Sequence, residues 1–149
     1  RDTWRRMLET NQSRLRYANT SLPWPIIGRV KRSFGEMRDR KTGIITRSGG
    51  WVMSGRGRAP VRSILPGRVA FSGRYGAFGH VMIVAHSDHF HTVYAHLGRR
   101  MLDEGDDVRT GQILGRLARL NTRNQPHFYF ELRVNEKAVN PRKWLRKSP

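Results

Sequence analysis

From residue 43 onward the sequence is a succession of short apolar segments separated by glycine-bearing turns. That rhythm is too short for helices and predicts an all-β domain. Expected strands are Gly43 to Thr46, Gly50 to Met53, Val61 to Leu65, Gly67 to Ser72, His80 to His86 and Phe90 to Tyr94. The series continues with Asp107 to Val108, Gln112 to Ala118 and Phe128 to Val134. Pro66-Gly67 is a turn dipeptide, and Gly73 to Gly79 is a longer glycine loop between strands. His86-Ser87-Asp88-His89-Phe90-His91 gathers three histidines where a polar hairpin turn is expected between apolar runs. His89 and His91 would share a face if a strand ran through them. The solvated turn is the better reading.

The front of the chain reads differently. Trp4, Met7, Leu8 and Leu15 recur at helix-compatible spacing with no Gly or Pro between them, which predicts a short N-terminal helical segment over residues 1–21. It reads as the end of a longer helical region or as a restraining arm. Pro23 and Pro25 stop it by removing amide donors and restricting the residues before them. Residues 22–149 then form the main domain. Ile26 to Val30 is strand-like, whereas residues 36 to 42 carry five charges and read as an exposed loop.

The balance of 29 basic to 11 acidic residues gives a formal charge of +18. Such a charge draws anionic partners without choosing among nucleic acid, phospholipid, acidic wall polymer and acidic protein. The aromatic residues form no base-stacking motif, so specific nucleic-acid recognition is not expected. There is no cysteine, which excludes disulfides and thiolate metal sites. No run approaches the roughly 20 apolar residues of a spanning helix. A start at Arg1 without Met reads as a fragment or processed form of something longer.

Three motifs sit on this framework: Arg47-Ser48-Gly49-Gly50-Trp51-Val52, Thr92-Val93-Tyr94-Ala95-His96-Leu97 and Gln125-Pro126-His127-Phe128-Tyr129-Phe130-Glu131. Together they resemble the LytM, or lysostaphin-like, zinc endopeptidases that cut peptidoglycan cross-links. That family carries H-x-G-x-D early, Y-A-H in the middle and P-H-x-H-F-E late. Laid over this chain, the early His falls on Ser48, the early Asp on Val52 and the second late His on Tyr129. Leu22-Pro23-Trp24-Pro25 followed by Gly28-Arg29-Val30 and Phe34-Gly35 is similar to the start of the LytM domain in EnvC-type division proteins. Those are activators of cell-wall amidases and not enzymes. Glu104 to Ile113 matches a turn-and-strand pattern that LytM domains share with biotinyl and lipoyl carriers, but no attachment lysine at a hairpin tip accompanies it. Val139-Asn140-Pro141-Arg142-Lys143-Trp144-Leu145 closes the domain as N-P-x-x-(W/Y)-L closes LytM domains. The resemblance implies a LytM-type β-sandwich, a barrel-sandwich hybrid with a central groove.

A working site of that family uses two His and one Asp, and zinc lowers the pKa of its bound water to roughly 7. Ser48 keeps its hydroxyl proton, Val52 has no lone pair, and Tyr129 would bind only as a phenolate, from a phenol with pKa near 10. No metal or other cofactor is therefore expected, and no catalysis. His96 and His127 match family histidines that assist the water, and without hydroxide they are better read as shaping the groove. Glu131 is expected to partner a nearby arginine. The resemblance implies a periplasmic activator of N-acetylmuramoyl-L-alanine amidases in daughter-cell separation. Its groove, built from Ser48, Trp51, Val52, Tyr94, His96, His127 and Tyr129, would bind the amidase's regulatory helix. Peptidoglycan and anionic envelope polymers are further partners the charge admits. A membrane protein of the division complex would be met through whatever precedes Arg1. A peptidoglycan-binding module and an atypical zinc endopeptidase are the competing readings.

Overall fold

Alternation organises the strand at the centre of the molecule: Phe128, Phe130 and Leu132 are buried, while Tyr129, Glu131 and Arg133 are partly covered or at the edge of the core. A half-buried antiparallel strand with one face in the core has this pattern. The computed structural model describes residues 21–119 and 127–149. The expected N-terminal helix, with Trp4, Met7 and Leu8, lies outside the described residues.

The described chain is nearly all β. Its strands are β1 (Gly28–Arg32), β2 (Gly35–Arg38), β3 (Ile45–Ser48), β4 (Trp51–Gly55), β5 (Pro60–Arg62) and β6 (Gly67–Arg74). They continue with β7 (His80–Ser87), β8 (Phe90–Arg100), β9 (Asp107–Val108), β10 (Ile113–Leu117), β11 (Phe128–Val134) and β12 (Lys137–Val139). The principal sheet runs β1-β4-β11-β8-β7-β6-β9; β10 joins β5 and β8, and β12 joins β11. β2 and β3 form a separate two-stranded hairpin.

β8 serves two halves of the sheet. From Phe90 to Ala95 it pairs with β11, and from Leu97 to Arg100 it pairs with β10. The handover falls on His96, whose φ of 55° is in the left-handed region. That conformation breaks the strand's regular twist and lets one strand exchange partners. Trp51, Met53, Tyr94, Phe90, Phe130 and Leu132 fill the core, all at 1% exposure or less. The two ends of the main domain are clasped: Leu22 N–H donates to Trp144 O (3.1 Å) and Arg146 N–H donates to Leu22 O (2.8 Å).

The expected strand Val61 to Leu65 is confined to Pro60–Arg62, the one expected at Phe90 to Tyr94 runs on to Arg100, and three further features depart from expectation. β2 occupies part of the expected 36–42 loop, because a hairpin exposed on both faces shows no apolar alternation. β12 pairs with β11 over only three residues, Lys137-Ala138-Val139, too short a run for alternation to announce it. His86, expected at a solvated turn, is fully buried; the turn itself falls on Asp88 and His89. His86 Nδ1 donates to Pro66 O (2.8 Å), which puts the Nε2 lone pair toward Thr92 Oγ1 (2.8 Å), and that oxygen lies 2.9 Å from Tyr94 Oη.

Candidate functional site

Strand register assembles the site. On the antiparallel pair β4–β11, Val52 stands opposite Tyr129, and on β11–β8 Tyr129 stands opposite Ala95. Directly opposed residues place their side chains on one face. Val52, Tyr129 and, two residues on, Glu131 therefore share the face away from Trp51, Phe128 and Phe130. Two of the three positions where the family would hold metal are thus cross-strand neighbours. The third, Ser48, ends β3 and leads into β4 through Gly49-Gly50.

Those two glycines admit the Tyr129 ring. A Cβ on Gly50 would lie 2.2 Å from Phe130 O and 3.0 Å from Tyr129 Cζ, and one on Gly49 would lie 2.9 Å from Glu131 Oε1. Any side chain there would displace β11 or the phenol. Tyr129 Oη donates to Glu131 Oε1 (2.8 Å), Arg133 Nη1 donates to Glu131 Oε2 (3.1 Å), and Arg133 Nη2 donates to Glu136 O (2.6 Å). Glu131 is thus held by an arginine, on a chain of hydrogen bonds that includes the phenol. Burial, and then the Glu131 carboxylate, push the Tyr129 hydroxyl well above its ordinary pKa. Ser48 Oγ donates to Gly50 O (2.8 Å), closing the turn on itself.

The residues present do not fit zinc. Val52 contributes no donor atom, Ser48 has its proton engaged, and Tyr129 is held as a neutral phenol by the carboxylate it donates to. Among the described residues no group of three His, Asp or Glu side chains converges.

The remaining family positions separate. His96 is half-buried beside Met53, Leu117 and Phe128, its ring 6.1 Å from that of Phe78, and burial lowers its pKa. His127 is exposed at the start of β11. Two of the expected groove residues lie elsewhere. Tyr94 is wholly buried, opposite Phe130 in register, and burial pushes its hydroxyl up to about 12. Trp51 is 1% exposed, packed 5.0 Å from Trp24, with the Arg142 guanidinium 5.6 Å from its ring. Both belong to the opposite phase of the alternation from Val52 and Tyr129, so neither offers surface to a partner.

Arg32 is a neighbour of the site that no motif points to. A bulge between Val30 and Arg32 sets Arg32 opposite Val52. Its Nη2 donates to Thr46 Oγ1 of the hairpin (2.8 Å), and its buried Nε has no partner among the described residues. None of the three ion pairs among the described residues involves it. A partly buried cation thus flanks the place that would hold a metal. Only the tertiary register reveals it, since Arg32 lies outside all three motifs.

Comparison with known proteins places this geometry. Residues 46–141 match Peptidase family M23. The DD-carboxypeptidase/endopeptidase Mpg of Neisseria meningitidis serogroup B is 35% identical over 82 residues, covering 55% of this chain and 19% of that protein. The murein hydrolase activator NlpD of Salmonella typhimurium is 27% identical over 144 residues, 93% of this chain and 36% of that protein. The murein hydrolase activator EnvC of Escherichia coli is 28% identical over 122 residues, 82% of this chain and 28% of that protein. The chain therefore spans about a third or less of the curated relatives it matches. In fold it is similar to a zinc-containing peptidase from Vibrio cholerae (TM-score 0.72, 21% identity, 88% of this chain and 41% of that one). It is also similar to lysostaphin from Staphylococcus simulans (TM-score 0.66, 22% identity, 83% and 52%).

Proposed function

The chain belongs to peptidase family M23, and on that premise we propose that it is a non-enzymatic, periplasmic activator of peptidoglycan N-acetylmuramoyl-L-alanine amidases, acting in cell division and daughter-cell separation. The observation that carries this reading is the replacement of all three metal positions by Ser48, Val52 and a Tyr129 phenol bonded to Glu131. Its relatives NlpD and EnvC are named murein hydrolase activators, which supports the same direction. No helix among the described residues is long and apolar enough to cross a membrane.

In this reading the face bearing Val52 and Tyr129, with Ser48 at the end of β3, receives the amidase's regulatory helix, and His96 and His127 are proposed to extend the groove beyond it. Val52 and the Tyr129 ring supply apolar contact, and Arg32 offers its charge to an acidic side chain of that helix. Helix-in-groove binding works in this way, an apolar stripe supplying contact and the flanking charges setting register. The domain division at about residue 21 belongs to the same proposal, the earlier segment lying outside the recognition domain.

The test is to add the purified chain to an amidase from the same cell with sacculi as substrate. Wall degradation should rise, while the chain alone releases nothing and holds no stoichiometric zinc. About one zinc per chain with chelator-sensitive cleavage would instead establish an endopeptidase, the activity carried in Mpg's name. Tight binding to sacculi without amidase stimulation would establish a wall-binding module.

A further inference from the structure

The β2–β3 hairpin stands apart from the principal sheet, and all twelve residues from Glu36 to Arg47 are exposed. Three of them are large and apolar: Met37 (48% exposed), Ile44 (60%) and Ile45 (49%). In the hairpin register Met37 faces Thr46 and Arg38 faces Ile45. Successive strand residues point to opposite faces, so Met37 and Ile45 lie on opposite sides, and Ile44 stands at the turn. A hairpin that packs against a partner protein needs apolar character on one face. Here both faces and the tip have it.

The charges of the tip are arranged unequally. Asp39 turns its carboxylate inward, accepting from the backbone N–H groups of Lys41 (2.8 Å) and Thr42 (2.9 Å), and those bonds hold its pKa below the ordinary value. Glu36 is paired with Arg47 across the hairpin. Both acids of the segment are thus engaged within it. Arg38, Arg40 and Lys41 enter none of the ion pairs found among the described residues. The turn is also well made: Asp39 N–H donates to Ile44 O (2.9 Å), and Gly43 N–H donates to Asp39 O (2.9 Å) with φ of 72° at Gly43. The apolar side chains are therefore presented on ordered backbone.

We propose that this hairpin tip is a membrane-docking element that inserts Met37, Ile44 and Ile45 into an anionic phospholipid surface. Apolar side chains on both faces suit immersion among acyl chains, and Arg38, Arg40 and Lys41 then lie at headgroup level, where anionic lipid attracts them. The remaining cations of a chain with formal charge +18 add long-range attraction to the same surface. The hairpin would hold the domain at a bilayer surface while leaving the face that bears Val52 and Tyr129 to its partner.

The experiment is co-sedimentation of the chain with vesicles of phosphatidylglycerol and phosphatidylcholine, compared with pure phosphatidylcholine. The chain should bind the anionic vesicles. Ile44→Ser with Ile45→Ser keeps every charge and should lose about a hundredfold or more in affinity, since each inserted isoleucine is worth about a factor of ten or more. Arg40→Gln with Lys41→Gln should weaken binding further at low salt than at high salt. In a third variant, Ile44→Trp, the added indole fluorescence should shift to the blue only with anionic vesicles. These positions are exposed, so thermal melting should be unchanged and serves as the folding control. Binding by the double serine variant equal to the parent's overturns the proposal, because the attraction is then charge alone. So does an Ile44→Trp variant whose added emission keeps its solvent value on bound vesicles, or an absence of binding.

Discussion

Tyr129 closes a position where the family holds metal, and on the function proposed it also supplies a binding surface. Its ring lies over Gly50, its hydroxyl is spent on Glu131, and Val52 stands beside it in register. If this pair is the partner-binding face, Tyr129→Ala should reduce affinity for the amidase helix by about 2 kcal/mol or more, as aromatic anchors do. Val52→Asp should lose a similar amount, about 2 kcal/mol, because the new carboxylate must be desolvated on binding. Arg32 opposite it supplies a counter-charge, so the variant should still fold. Normal amidase activation by both variants, with normal melting, would remove this face from the mechanism. At this scale the sequence is informative wherever a motif fixes a position by spacing: Ser48, Val52 and Tyr129 follow from aligned motifs alone. It fails for Trp51 and Tyr94. Each belongs to a motif of the site, yet strand alternation sends it to the opposite face from Val52 and Tyr129. The phase of that alternation follows from pairing with Phe130, a contact between distant segments.

Among the elements, β7 and β8 are tied by a polar network that no motif announces. His86 on β7 bridges Pro66 to Thr92 on β8, and Thr92 meets Tyr94. Burial depresses the His86 pKa to about 4 from its ordinary 6.5. Between those values the unfolded chain binds a proton that the folded chain refuses. Stability should therefore be fully present above about pH 6.5 and fall as the pH drops toward 4, by about 3 kcal/mol across the window. His80, His91 and His96 are shifted in the same direction, chiefly by burial, and steepen the same slope. Denaturant melts at a series of pH values from neutral down to about 4.5 measure it. A flat profile would mean that His86 ionises inside the fold and that the network tolerates the charge. The glycine-punctuated strands are legible because each needs only a local turn signal. β2 is not, since both faces of its hairpin are exposed and its residues carry no apolar period, whereas Ile45 and Thr46 of β3 fall within the expected strand Gly43 to Thr46.

For the whole molecule the dominant quantity is charge. A formal +18 is set against three ion pairs among the described residues, all with at least one partner substantially exposed. Exposed pairs of that kind contribute about 0–1 kcal/mol each, so the surplus acts as a field and not as a set of bonds. Such a field attracts any polyanion, and it should make specificity depend on the contacts that are not electrostatic. The consequence is separable by salt. Binding to DNA, used here as a test polyanion, releases condensed counterions, so its affinity should fall as a steep power of salt concentration. On the function proposed, an amidase helix docked against Val52 and the Tyr129 ring would bury apolar surface, and that part is not screened. Between roughly 50 and 200 mM salt we therefore expect DNA affinity to fall by a factor on the order of 10³ if about six or more phosphates are engaged, and helix affinity by far less. Equal salt slopes for the two ligands would mean that the groove contributes nothing beyond charge. DNA binding that survives high salt and selects sequence would point to a nucleic-acid partner, against an alternation that puts the large aromatic side chains Trp51, Tyr94, Phe128 and Phe130 in the core.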